Sequence, residues 1–114
     1  MAECIFCRIS KGEITSDLEY QDEEVIAFRD IHPQAPTHFL VVPRRHIPSL
    51  VDAEADHQLL LGKLQSVAIG LARREGVDRT GFRLVVNCGN DGGQSVWHLH
   101  LHLLGGRKLS WPPG

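Results

Sequence analysis

Residues His98-Leu99-His100-Leu101-His102-Leu103-Leu104 alternate between imidazole and leucine without a break. Successive side chains of an extended chain point to opposite faces, so this stretch predicts a strand with three histidines on one face and leucines on the other. The leucines need a core layer beneath them. The histidines form a row, with neighbours about 6.6–6.8 Å apart at Cα. Three adjacent imidazolium rings would repel one another, so near neutral pH most of the row is expected to be neutral. A neutral imidazole keeps one lone-pair nitrogen and can serve as a base, a nucleophile or a metal ligand. Three readings follow. The strand is polar on one face without further use, or two of its histidines ligate a metal, or one imidazole attacks while another protonates a leaving group.

The rest of the chain supplies partners for such a strand. Leu18-Glu19-Tyr20 and Val25-Ile26-Ala27-Phe28 read as a hairpin closed by Asp22-Glu23-Glu24. A proline-bearing loop, Asp30 to Pro36, leads to a buried strand, Phe39-Leu40-Val41-Val42, stopped by Pro43. Leu60, Leu64, Val67 and Leu71 recur at helical spacing, which predicts one long helix from about Ala53 to Glu75, N-capped by Asp52 and ended by Gly76. Phe82 to Asn87 and Trp97 to Leu104 are the last two strands. A short helical turn near Cys4–Ile9, ended by Gly12, opens the chain. One long helix among antiparallel strands predicts an α+β domain and argues against a repeated βαβ sheet.

Composition narrows the class. The 114 residues carry 12 Lys and Arg against 14 Asp and Glu, a net charge of −2, which gives no electrostatic basis for binding nucleic acid or an anionic membrane. No stretch approaches the roughly 20 apolar residues of a membrane span. The start, Met1 to Cys4, lacks the basic and then apolar runs of a secretory signal. Three cysteines, an odd number, speak against a disulfide framework and for a reducing compartment, so a cytoplasmic location is expected.

Two further motifs carry chemistry. Cys88-Gly89-Asn90-Asp91-Gly92-Gly93-Gln94-Ser95 is glycine-rich and lies just before the histidines, where backbone N–H groups can point at an anion. Cys4 and Cys7 form a C-x-x-C pair that reads as a redox dithiol, half a zinc site, or packing residues.

Residues 98–104 match the signature His-φ-His-φ-His-φ-φ, with φ apolar, and so resemble the histidine-triad (HIT) superfamily. Further segments resemble its Hint branch, the histidine-triad nucleotide-binding proteins: Phe28 to His38, Val42-Pro43-Arg44-Arg45-His46-Ile47, Asn90 to Ser95, and the tail Leu104 to Arg107 and Trp111-Pro112-Pro113-Gly114. The resemblance covers nearly the whole chain, residues 1–114, as one domain. It implies a five-stranded antiparallel sheet with one long helix and a short N-terminal helix. It also implies a homodimer with a continuous sheet across the interface, to which the tail 105–114 contributes.

The implied activity is that of a purine nucleoside phosphoramidase, which hydrolyses the P–N bond of AMP-amine conjugates without a metal for the chemistry. His100 matches the nucleophile that becomes nucleotidylated. His102 matches the residue that helps bind the phosphate and manage the leaving-group proton, together with Ser95. His98 and His38 match residues that orient the nucleophile through a hydrogen-bond relay. Asp30 matches the carboxylate that accepts the ribose hydroxyls, Ile31, Phe28, Phe6 and Ile5 the walls of the base pocket, and Asn87, Gly93, Gln94 and Ser95 the phosphate side. Without the resemblance, Asp30 reads as a turn carboxylate and Phe28 and Ile31 as packing residues. Trp111, beside two prolines, is expected to dock against the partner subunit near its nucleotide site.

Bacterial members of the wider superfamily that carry the cysteine pair imply a structural zinc on Cys4, Cys7, His46 and His98. The alternatives are a dinucleoside polyphosphate hydrolase, or a zinc-stabilised nucleotide-binding scaffold that acts through protein partners. A nucleotidyltransferase is disfavoured, because that branch replaces the third histidine by glutamine and His102 is intact.

Overall fold

The computed structural model describes residues 4–114, so the signal-sequence reading of residues 1–3 lies outside them. Strands β1 (Leu18–Gln21), β2 (Val25–Arg29), β3 (Thr37–Pro43), β4 (Phe82–Val85) and β5 (Leu101–Gly105) form one antiparallel sheet. Their order is β1-β2-β3-β5-β4. The helices are α1 (Ile5–Ser10), α2 (Gln58–Glu75) and the single turn α3 (Val77–Thr80). The expected α+β fold, with five antiparallel strands, one long helix and a short N-terminal helix, is the fold observed. No helix among the described residues is long and apolar enough to cross a membrane.

Alternation along the strands divides the molecule into two apolar layers. Val25, Ala27, Phe39, Val41, Leu99, Leu101 and Leu103 pack with Leu64, Val67, Ala68 and Leu71 of α2. Ile26, Phe28, Leu40 and Val42 pack on the opposite face with Phe6 of α1. Register places Leu40 opposite His102 and Leu104 opposite His38. The histidines therefore share the face that α1 covers, and the leucines hold the segment to α2.

The β1–β2 turn is built by Asp22, whose Oδ1 accepts the amides of Glu24 at 2.7 Å and Val25 at 2.8 Å. Its Oδ2 takes the Tyr20 hydroxyl at 2.6 Å and Lys63 Nζ at 2.9 Å, which ties the hairpin to α2. Burial would raise this carboxyl, but the hydrogen bonds from Tyr20, Lys63 and the two amides outweigh it and hold it well below the usual range.

Three boundaries differ from the sequence reading. The long helix begins at Gln58, not Ala53, after two 3-10 turns at Leu50–Asp52 and Ala55–His57. Asp52 does not cap it, because its Oδ2 accepts the Ser49 hydroxyl at 2.7 Å, and the reciprocal capping box of Glu54 and His57 closes the second 3-10 turn, Ala55–His57. The C-terminal end agrees: Gly76 stands at φ +78° and donates to the carbonyls of Ala72 and Arg73.

The second and third differences share one cause. The last strand begins at Leu101, not Trp97, because β3 ends at Pro43, which has no amide to donate. Leu99 donates instead to Ile47 O at 2.7 Å. By the same register Asn87 would face His100, so with His100 out of the ladder β4 does not reach Asn87, and it ends at Val85 opposite His102.

Candidate active site and candidate metal centre

Backbone carbonyls fix the protons of two triad histidines. Nδ1 of His100 lies 2.8 Å from the carbonyl oxygen of His98. A carbonyl can only accept, so Nδ1 carries the proton and the lone pair is on Nε2. Nε2 of His98 lies 2.7 Å from Pro43 O, so its proton is there and its lone pair is on Nδ1. Both rings are buried, and Phe6 packs edge-on against them with centroids at 5.8 Å for His98 and 5.2 Å for His100. Burial pushes the His98 pKa down, against the opposing hydrogen bond to Pro43.

His38, buried on β3, faces His102 across the sheet. Its Nδ1 accepts the Gln34 amide at 3.0 Å, and its Nε2 stands 2.9 Å from His102 Nδ1 and 3.5 Å from Asp30 Oδ2. Burial lowers the His38 pKa, with Asp30 opposing. His102 is pushed down to about 4, first by burial and then by His100 and His38. The His100 and His102 rings meet at 5.0 Å, and His102 Nε2 is buried with no hydrogen-bond partner. An unpaired buried polar atom is costly, which marks this nitrogen as one that a ligand would satisfy.

His98 and His38 both enter the hydrogen-bond chain around the triad. The main-chain carbonyl of His98, not its side chain, orients His100, and His38 bonds to His102. The imidazole of His98 is thereby free for other duty.

Asp30 keeps one oxygen in its own turn, accepting the His32 amide at 2.8 Å, and leaves Oδ2 toward His38. A carboxylate has about four acceptor positions, so capacity remains. Phe6 and Phe28 are 5% and 6% exposed and belong to the second apolar layer, whereas Ile5 and Ile31 are exposed. Trp111 is exposed in the single chain, and the tail beside it is held where Arg83 Nη2 donates to Ser110 O at 2.9 Å.

The glycine-rich loop needs its glycines. Gly89 and Gly93 have φ of +79° and +82°, and a Cβ at Gly92 would lie 2.4 Å from Cys88 O. Its amides are less available than the pattern suggests. Gly89 N–H goes to Gln94 Oε1, Gly93 N–H to Asn90 O, and Gln94 N–H to Gly89 O. Gln94 Nε2 donates to Pro48 O and Val96 O. Gln94 therefore staples the loop, and Gly93 shapes it. Ser95 is exposed and Asn87 half-buried at the loop's two ends.

Cys4, Cys7, His46 and His98 bring one donor atom each to within 4.8 Å of one another. His98 Nδ1 is 3.2 Å from Cys4 Sγ, 3.6 Å from Cys7 Sγ and 3.1 Å from His46 Nδ1, and Cys7 Sγ is 3.3 Å from His46 Nδ1. A tetrahedral zinc with these ligand types has edges of about 3.3–3.8 Å, so the spacing suits that ion. The orienting bond from His98 Nε2 to Pro43 O points its lone pair into the cluster, as a ligating imidazole requires. Burial pushes the Cys7 thiol up, with Cys4 adding, a tendency that a bound dication would reverse. The residues fit a closed Cys₂His₂ centre. Sequence reasoning missed the partners that set the histidine protons: Pro43 O, His98 O and Gln34 N–H are main-chain groups, and no residue type announces them.

Comparison with known proteins places this geometry. The HIT domain family model matches residues 11–109. The purine nucleoside phosphoramidase of Escherichia coli K12 is 50% identical over 107 residues, covering 94% of this chain and 90% of that protein. A HIT family hydrolase from Legionella pneumophila Philadelphia 1 superposes with a TM-score of 0.96 at 48% identity, covering 98% of this chain and 100% of the other. A histidine triad protein from Clostridium difficile gives a TM-score of 0.93 at 46% identity, covering 96% of each chain.

Proposed function

The chain belongs to the HIT domain family, and from that premise we propose that it hydrolyses purine nucleoside 5′-phosphoramidates through a nucleotidyl-His100 intermediate. The observation that carries the reading is the His100 ring, whose Nδ1 proton is held on His98 O at 2.8 Å so that Nε2 is the nucleophilic nitrogen. In the first half-reaction His100 Nε2 bonds to phosphorus as the P–N bond breaks, and the amine departs with a proton taken from solvent, which the attacking water gives back in the second. In the second, water attacks phosphorus and releases the nucleoside monophosphate with His100 restored.

The remaining roles are proposals of the same kind. His102 donates from Nε2 to the phosphoryl group, with Ser95 and Asn87 alongside. Asp30 accepts from the ribose, and Phe6, Phe28, Ile5 and Ile31 border the base. Cys4, Cys7, His46 and His98 would hold a zinc that ties α1 to the sheet. It would supply no chemistry beyond fixing the residue whose carbonyl orients His100. The protein works as one domain, paired in the cytoplasm as a homodimer whose tail, with Trp111, reaches the partner's site. Charge and composition suit neither nucleic acid nor a membrane as partner.

Rapid denaturation during turnover of an AMP-amine conjugate, followed by mass spectrometry, tests the reading. The expected result is a nucleotide adduct on the peptide carrying His100, and a fall in turnover of at least about 1,000-fold in His100→Ala. Hydrolysis that survives this substitution rejects His100 as the nucleophile.

A further inference from the structure

The relay behind His102 starts on the main chain. The main chain of Gln34 is held at both its groups: its N–H donates to His38 Nδ1 at 3.0 Å, and its carbonyl accepts from Arg107 Nε at 3.0 Å. Arg107 reaches it because Gly106, at φ +89°, packs on Pro36 so closely that a Cβ would lie 3.0 Å from the proline Cβ. An amide can only donate, so His38 Nδ1 can only accept, and a neutral His38 then carries its proton on Nε2. That proton faces His102 Nδ1 at 2.9 Å. His102 Nδ1 accepts in turn, and its own proton sits on Nε2, the buried atom without a partner.

The same groups invite a second use. Asp30, His38 and His102 offer a carboxylate and two imidazoles within 4.8 Å, as a divalent-cation site would. The Gln34 amide decides against it. Ligation through His38 Nε2 would move the ring proton to Nδ1, directly against the Gln34 N–H.

We propose that Gln34, through its main-chain amide, and Arg107, through its hold on the Gln34 carbonyl, are positioning residues that set the direction of this relay. His102 thus meets a phosphoryl group as a neutral imidazole donating from Nε2, neither a cation nor a metal ligand. The naming of a phosphoryl group rests on the function proposed above; the direction of the relay is a property of the free protein. The groups that face His102 are His100 on its own segment, His38 on β3 and Asp30 on the loop after β2. Burial disfavours the cationic ring, in the same sense as the tautomer argument.

Nitrogen-15 NMR of the histidine-labelled full chain near neutral pH is the test. His102 is expected to show a bare Nδ1 and a protonated Nε2, and added Mn²⁺ is expected to leave the His38 and His102 signals sharp. Gln34→Pro removes the amide, should mix the tautomers of both rings, and should lower kcat about 100-fold with little change in KM. Arg107→Ala, an exposed change that leaves the core intact, should move the same resonances part-way and lower kcat about 3–10-fold.

A doubly protonated or Nδ1-protonated His102, Mn²⁺ broadening of these signals, or wild-type tautomers in both variants overturns the proposal. Wild-type protein that shows the expected tautomers but hydrolyses no phosphoramidate would refute the function and leave the relay standing. Normal hydrolysis with a bare Nε2 on His102 would refute the relay alone.

Discussion

Single atoms decide what each histidine of this chain can do. Three imidazoles lie within one short segment, yet main-chain carbonyls hold the proton of His98 on Nε2 and that of His100 on Nδ1. His98 aims a lone pair at two thiols, and His100 aims one away from the carbonyl that holds it, while His102 Nδ1 meets His38 Nε2 at 2.9 Å. Burial has a measurable consequence. Above about pH 6.5, His102 is neutral both folded and unfolded. As pH falls through 6.5 the unfolded ring takes a proton first, while the folded ring resists until about 4. The unfolded state therefore binds more protons across that window, and stability drops as pH falls through it. Thermal melts from pH 7.5 to pH 4 should show Tm falling below pH 6.5, with a shallower fall in His102→Gln; equal slopes would mean that His102 is not the titrating group. Asp30→Ala should weaken binding of a ribonucleotide more than that of its 2′,3′-dideoxy analogue, and equal losses in a binding titration would reduce Asp30 to a turn residue.

At the scale of elements, glycines set the joints. Gly76 ends α2 at φ +78° with open space around its missing side chain, so Gly76→Ala carries a purely conformational penalty of about 1 kcal/mol. Gly105, at the end of β5, is different. A Cβ there would lie 2.9–3.1 Å from the side-chain carbons of Val77, where α3 crosses the strand. Gly105→Ala should destabilise more than Gly76→Ala, by about 1–3 kcal/mol for overpacking, read as the larger drop in urea midpoint. The opposite order would show that α3 yields easily. The 3-10 turns before α2 show why its start could not be read from periodicity alone. Asp52 has the right residue type for a cap, but Ser49 engages its carboxylate, and the capping box of Glu54 and His57 serves the 3-10 turn that precedes α2.

For the whole molecule, the sheet separates two jobs. One face buries leucines against α2, and the other carries the histidines under α1, so the N-terminal turn must be fastened for Phe6 to stay packed on His98 and His100. The Cys₂His₂ cluster is where that fastening would occur. Purified protein should hold about one zinc per chain, lost in Cys4→Ser together with a Tm drop of several degrees. Metal-free protein with an unchanged Tm would show that the cluster holds α1 by packing alone. Five strands in the order β1-β2-β3-β5-β4 leave β4 at one edge, beside the segment that carries Trp111. An exposed edge with an exposed aromatic suits pairing with a second copy, which sedimentation at micromolar concentration would reveal as a dimer.

The order of residues determined which face each side chain takes. Alternation at 98–104 keeps Leu99 in the main core and His98 and His100 opposite it, even where the ladder has ended, because the extended backbone has a period of two regardless of its partner. Apolar spacing likewise determined α2 and its glycine stop. Tertiary structure alone decided where β5 begins, which proton each imidazole carries, and that the His98 side chain joins two cysteines more than 90 residues away. Those outcomes depend on Pro43 O, Gln34 N–H and Ile47 O, and every residue type carries such main-chain groups. Only folding brings a particular one within 3 Å of a particular ring or amide.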